Sequence, residues 1–303
     1  MKKSPGDWYE IEISTTQGGA ETAAAVIAEL GYRSCEIREN DGGEALVVYH
    51  RAHDAGAAYE HAHGLAASIS TWALGEPRIE HLPEQIWTES WKSHFPRLRV
   101  GRRLEILPPW EDVEAVEAGR VPIVIHPAMA FGTGHHETTH GCMQMLDEIV
   151  RGGEIVADIG CGTGVLAIAA VKLGATRAIA IDNDGQAVAA AIENTALNDV
   201  TDRVTVRLAS GPPVSGNSDY PDGGFDIVVA NIYAETLASM RDRLTSCVKS
   251  GGRLVLSGIE ASRRSVIEDS FVDEIWSPGR IVEERNWLTF CIVRGDEGGQ
   301  ART

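Results

Sequence analysis

Seven residues near the middle of the chain constrain its fold more than any other stretch. Asp158-Ile159-Gly160-Cys161-Gly162-Thr163-Gly164 follows the apolar run Ile155–Ala157 and opens a helix-forming run over 164–173. Closely spaced glycines let the backbone turn sharply and let a ligand lie against it, ahead of the positive end of a helix. Downstream, short β-branched runs alternate with helical stretches, at 155–158, 164–173, 177–182, 184–197, 204–208, 226–230, 234–248 and 252–257. That alternation predicts an α/β domain with a doubly wound, Rossmann-like parallel sheet. The last segments, 280–284 and 287–293, read as a hairpin turning at Arg285-Asn286.

The glycine spacing bears on the ligand. A dinucleotide fingerprint is G-x-G-x-x-G, with room for a pyrophosphate. Here it is G-x-G-x-G, and Asp158 stands beside the loop. A carboxylate there opposes a pyrophosphate but suits a ligand carrying an ammonium and a sulfonium, so the expected cofactor is S-adenosylmethionine (SAM). Asp182 ends the next strand, where a carboxylate can accept both hydroxyls of a ribose. On its own it could equally be a helix cap. The fourth strand of such a sheet lies beside the first, so Asn231 in the run DIVVANI (226–232) should project into the same site. Its amide oxygen can accept a hydrogen bond from an amine, although a lone Asn at a strand end is commonly a turn former.

A second motif points elsewhere. His136-Glu137-Thr138-Thr139-His140 matches H-E-x-x-H, the pattern of zinc metalloproteases. Such a site needs both histidines on one helical face and a third ligand. The extended motif would place Gly at 143 and His at 146, where the chain has Met143 and Leu146. The Phe131-Gly132-Thr133-Gly134 loop upstream leaves room for His136 to precede the helix. With ten histidines in the chain a chance match is the simpler reading, and no metal is expected.

Composition narrows the setting. The 303 residues carry a net charge of −17, which repels nucleic-acid phosphate and favours a basic partner, although solubility alone would account for it. No apolar run reaches the length of a membrane span, and the N-terminus lacks the apolar stretch of a secretory signal. Five scattered cysteines without C-x-x-C suit a reducing cytoplasm. Residues 1–85 form a separate pattern: strand 8–15, helix 20–31 ending at Gly31, strands 34–38 and 44–50 around an Asp41-Gly42-Gly43 turn, helix 54–73 and strand 77–82. The order βαββαβ predicts a ferredoxin-like α+β domain. It holds 14 acidic and 6 basic residues, much of the chain's acidity. Residues 86–110 are aromatic and locally basic (Lys92, Arg97, Arg99, Arg102, Arg103) and read as a helix and an extended lead-in, a linker with solvated arginines. The catalytic-type domain is expected over 111–296, and 297–303 as a polar, disordered tail.

Taken together, these residues resemble the PrmA family, the bacterial methyltransferases of large-subunit ribosomal protein L11. The likeness runs through Trp87, Trp91 and Phe95, Gly101-Arg102-Arg103-Leu104, Pro108-Pro109-Trp110 and Pro127–Gly134. It continues through Thr138-Thr139, Asp158–Gly164, Ala230-Asn231-Ile232 and Gly251–Ile259. The F-G-T-G loop combined with A-N-I is far more specific than the glycine motif. The resemblance implies a seven-stranded SAM-methyltransferase sheet behind an N-terminal substrate-recognition domain. The implied activity is methylation of lysine side chains and the N-terminal amine of L11 in the cytoplasm, with no direct nucleic-acid or membrane partner. The implied cofactor contacts are Thr139, Gly160, Asp182 and Asn231, with Phe131, Gly132, Thr133 and Gly134 covering the cofactor; Thr138, Asp158 and Gly162 are expected beside them, and Asn231, placed to orient the amine, is the nominated catalytic residue. The chain departs from the family's usual Thr-His-Pro-Thr-Thr at His135-His136-Glu137-Thr138-Thr139, and from Asp-Pro at Asp184-Gly185. A methyltransferase acting on another protein or a small molecule, or a SAM-binding module without turnover, are the alternatives.

Overall fold

The computed structural model describes residues 7–29, 35–40, 43–82, 96–126, 136–213 and 220–295. The chain divides into two compact units, Met1–Pro96 and Arg97–Thr303.

In the first unit the chain order is β1 (Asp7–Thr15), α1 (Ala20–Glu29), β2 (Cys35–Asn40), β3 (Gly43–Ala52), α2 (Ala55–Ser68) and β4 (Ala73–Leu82). The strands form an antiparallel sheet in the order β2-β3-β1-β4. Alternation in β1 sends Ile11 and Ile13 into a core shared with Ile27, Leu46, Val48, Leu65 and Ile69. Asp54 caps α2 by accepting the Ala57 N–H at 2.9 Å. That helix stops at Ser68, short of the expected 73. The Trp72 N–H bonds back to the Ile69 carbonyl in a tight turn, and β4 starts at Ala73. The expected cap at Gly31 and most of the Asp41–Gly43 turn lie outside the described residues, as do the expected linker helix and the 297–303 tail.

The second unit begins earlier than expected. Instead of a bare lead-in, β5 (Leu98–Val100) pairs with β6 (Leu104–Leu107), which pairs in turn with β7 (Val121–Val124) in a three-stranded sheet. Val100, Leu104, Ile106 and Ile123 are buried in the main core, and burial of that surface makes the segment part of the domain. Its arginines are largely paired: Arg97 with Glu111, Arg99 with Glu117, and Arg103 with buried Asp147 at 2.8 Å.

The remaining elements are α3 (Glu137–Ile149), β8 (Ile155–Ile159), α4 (Val165–Lys172), β9 (Arg177–Asp182), α5 (Gly185–Leu197), β10 (Val204–Leu208), β11 (Phe225–Asn231), α6 (Ala234–Ser239), α7 (Arg241–Cys247), β12 (Val248–Glu260), α8 (Arg264–Phe271), β13 (Trp276–Glu284) and β14 (Trp287–Arg294). They build a seven-stranded sheet in the order β10-β9-β8-β11-β12-β14-β13. Five neighbouring strands are parallel, and β14 runs antiparallel to both β12 and β13. The continuous apolar runs follow from burial on both faces: in β11, Ile227 and Val229 enter one core while Val228 and Ala230 enter the other. One expected helix, 234–248, is two. At Met240 the backbone leaves helical geometry (φ −98°, ψ 5°), so α6 packs on α8 and β12 while α7 packs on β11 and β12. The hairpin turns at Arg285-Asn286, with Arg285 in the left-handed region at φ 52°.

Candidate active site

The chain winds outward from β8 through β9 to β10, then returns to place β11 on the other side of β8. The carboxyl ends of β8 and β11 therefore flank the point where strand order reverses, the usual place for a ligand in such a sheet.

The glycine loop is shaped by three left-handed residues, Gly160 (φ 74°), Gly162 (φ 53°) and Gly164 (φ 77°). The N–H groups of Gly160 and Cys161 both reach the Ile181 carbonyl, at 2.8 and 3.0 Å, which ties the loop to the end of β9. A Cβ at Gly160 would come within 2.7 Å of Ile232 Cγ2, so the glycine also lets the exit of β11 close on the loop. Asp182 holds the loop from the other side. Its Oδ2 accepts the Gly162 N–H at 2.9 Å and its Oδ1 the Asp184 N–H at 3.0 Å. Each oxygen retains a second lone pair.

Asp158 is fully buried. Its Oδ2 accepts the Ala167 N–H, from the first turn of α4, at 3.1 Å, while Oδ1 has no hydrogen-bond partner among the described residues. Burial pushes its carboxyl up to about 7; the Ala167 N–H opposes that shift and the nearby Asp182 charge adds to it.

Asn231 ends β11. Its Nδ2 donates to Thr139 Oγ1 at 3.2 Å, and its buried Oδ1 has no partner among the described residues. Thr138 and Thr139 lie in the first turn of α3 and are both buried. Of the residues expected at the site, Asp158, Gly160, Gly162 and Asp182 thus converge around the glycine loop, and Asn231 meets Thr139. Phe131, Gly132, Thr133 and Gly134 lie outside the described residues.

His136 precedes α3 as its N-cap. Its Nδ1 faces the Thr138 hydroxyl at 2.8 Å and accepts the Thr138 N–H at 3.3 Å. His140 turns its Nδ1 to Glu284 Oε2 at 2.7 Å. Burial lowers the His136 pKa and Glu137 partly restores it. Among the described residues no three His, Cys, Asp or Glu side chains gather as metal ligands would.

Sequence reasoning missed Asn194 and Asn198. Asn194, fully buried on α5, donates to the Thr163 carbonyl of the glycine loop at 3.0 Å and accepts the His126 N–H at 2.9 Å. Asn198 accepts the Val124 N–H at 2.9 Å and donates to the Val124 carbonyl at 2.6 Å. The signal was available: two amides spaced i, i+4, one in the last turns of α5 and one capping its end.

A glycine turn after the first parallel strand, a carboxylate ending the second, an amide ending the fourth and a final antiparallel hairpin together define a class, the SAM-dependent methyltransferases. The family model "Ribosomal protein L11 methyltransferase (PrmA)" matches residues 7–295, and the chain belongs to that family. It is 44% identical over 230 residues to the ribosomal protein L11 methyltransferase of Pelobacter propionicus, covering 73% of this chain and 71% of that one. To the namesake from Symbiobacterium thermophilum it is 38% identical over 227 residues, covering 75% and 72%. The crystal structure of a ribosomal protein L11 methylase from Lactobacillus delbrueckii subsp. bulgaricus superimposes with a TM-score of 0.59 at 32% identity, over 66% of this chain and all of that one.

Proposed function

We propose that this chain transfers methyl groups from SAM to amino groups of ribosomal protein L11, at lysine side chains and at the N-terminal amine. The observation that carries the reading is the Asn231 amide. Its nitrogen is engaged by Thr139, which leaves a buried oxygen at the end of β11 with no partner among the described residues. Such an oxygen suits the N–H of an incoming amine. The residues also fit the cofactor. The unpartnered Asp158 Oδ1 suits an ammonium, and the second lone pairs of Asp182 suit ribose hydroxyls. Gly160, Gly162, Thr138 and Thr139 would complete the contacts, with Phe131–Gly134 as cover. SAM, when bound, supplies a methyl group activated by its sulfonium.

Methyl transfer from a sulfonium is an in-line displacement, so positioning does most of the work. The attacking amine must be neutral, and a free lysine with pKa ~10.4 is neutral only about once in 2,500 at pH 7. Asn231 accepts an N–H of the neutral amine and orients its lone pair. A carboxylate in its place would favour the charged, non-nucleophilic form.

The first unit reads as a ferredoxin-like recognition domain over 1–85, followed by a linker and the catalytic domain. The element order βαββαβ and the sheet order β2-β3-β1-β4 support the fold, and its acidic excess suits a basic substrate. Cytoplasmic placement fits a ribosomal substrate; among the described residues no helix is long and apolar enough to cross a membrane.

The test uses purified ribosomal protein L11 and labelled SAM. Asn231→Ala should cut kcat far more than it weakens SAM binding, because orientation matters most in the transition state. Asn231→Asp should recover part of the rate at high pH. Near-normal kcat in both variants would remove Asn231 from the reaction.

A further inference from the structure

The side chains of His136, Glu137 and His140 in the H-E-x-x-H segment have no part in the reading above, yet all three are engaged in one direction. His140 Nδ1 meets Glu284 Oε2 at 2.7 Å, Glu137 pairs with Arg285, and the His136 ring packs edge-on against Trp287 with centroids 5.1 Å apart. Glu284, Arg285 and Trp287 all belong to the β13–β14 hairpin. Gly141 brings the next turn of α3 against the same hairpin: a Cβ there would lie 2.4 Å from Thr289 Oγ1. Thr289 in turn shares a 2.8 Å hydrogen bond with Ser257, the β12 residue paired with Asn231.

The far end of α3 is held as well, by Glu148 with Arg280. The spacing matches. His140 and Glu148 are eight residues apart, roughly 12 Å at ~1.5 Å per helical residue. Glu284 and Arg280 are four residues apart, roughly 13 Å at ~3.3 Å per strand residue. The second half of strand β13, at the edge of the sheet, thus lies along α3 and is pinned to it at Arg280 and Glu284. Thr139, the partner of Asn231, stands next to His140 on the gripped turn.

We infer that His136-Glu137-Thr138-Thr139-His140 is a positioning clamp, in which Glu137 and His140 grip Arg285 and Glu284 so that Thr139 holds the Asn231 amide in register for the amine. This rests on the reading of Asn231 as the orienting group. His140 and Glu284 are engaged with each other and act, in this reading, as positioning residues through Thr139. Because a displacement of about 1 Å in a positioned group can cost on the order of 100-fold in rate, loss of the clamp should appear in kcat.

The experiment measures kcat, KM and SAM affinity for His140→Ala, Glu284→Ala and Glu284→Gln on the full chain with ribosomal protein L11, together with the unfolding midpoint. Glu284 lies on the surface side of the contact, so its variants test the clamp even if His140→Ala fails to fold. Expected are a roughly 10- to 100-fold fall in kcat for both alanine variants, a smaller loss of SAM affinity, and substantial rescue by Glu284→Gln, whose amide oxygen still accepts the His140 N–H. Glu284→Ala should also lose nearly all of its effect in a Thr139→Ala background. A folded Glu284→Ala enzyme with parental kcat overturns the proposal, as do effects of Thr139→Ala and Glu284→Ala that multiply independently. A parental kcat in Asn231→Ala alongside strong coupling of residues 139 and 284 would strike the Asn231 reading and leave the grip on Thr139 standing.

Discussion

Asp158→Asn should make the cofactor-free protein more stable at neutral and alkaline pH, though it replaces a residue at the centre of the site. The carboxyl is fully buried, one oxygen has no hydrogen-bond partner among the described residues, and burial pushes it up to about 7. In the unfolded chain it would titrate at about 3.9. The folded protein therefore holds this proton over a range in which the unfolded chain has released it, and stability falls as pH rises from about 4 to about 7. A shift of about three units at 1.36 kcal/mol each amounts to roughly 4 kcal/mol, an upper bound reached above pH 7. The substituted amide would stay neutral at every pH while its oxygen still accepted the Ala167 N–H. Urea unfolding of both proteins at intervals from pH 5 to 8.5 measures the effect, and subtracting the two curves cancels every other titrating group. The parent should lose ground to the variant up to about pH 7 and then run parallel to it. Cofactor should reverse the ranking, because a bound ammonium would restore the value of the charge. Below pH 7, SAM affinity of the parent should weaken by about tenfold per pH unit, as protons compete for the carboxylate. A stability difference that stays constant from pH 5 to 8.5 would refute the account.

Two further outcomes follow from the site. Asp182→Ala should weaken SAM binding by about 1.5–3 kcal/mol, the worth of hydrogen bonds to a charged group, and isothermal calorimetry on the folded variant checks it; unchanged affinity would remove Asp182 from the ribose. A chain starting at Ile86 should still bind SAM but lose methyl transfer to ribosomal protein L11, and transfer at the full rate would remove the first unit from substrate recognition.

The cost carried by Asp158 shows why the site was readable in outline and not in detail. Asp158, Gly160 and Asp182 stood out in the chain because local rules govern them: glycine at left-handed positions, a carboxylate closing an apolar strand. Asn231 stood out because β11 is continuously apolar up to it. What each does depends on neighbours distant in sequence. The Asn231 nitrogen is satisfied by Thr139, 92 residues earlier, which leaves its oxygen without a partner among the described residues. The 144-residue separation of His140 and Glu284 turns an apparent zinc motif into a grip on a hairpin, and no spacing rule within five residues could reveal it.

The same division runs through the fold. Strands β8, β9 and β10 fell where apolar β-branched runs placed them, and the turn at Arg285-Asn286 fell where two strand-like runs met, because periodicity and turn chemistry act over a few residues. The break at Met240 and the recruitment of β5 and β6 into the second unit were decided by packing. Two short helices both pack on β12, while the first also reaches α8 and the second β11, and Val100, Leu104 and Ile106 gain more by entering the core than by serving as a tether. Local pattern thus placed most strands and helices of the sheet in order and singled out Asp158, Gly160, Asp182 and Asn231 as candidates for the site. Tertiary structure decided which polar atoms are satisfied and which are left for a ligand, because that depends on contacts made only once the sheet closes around them.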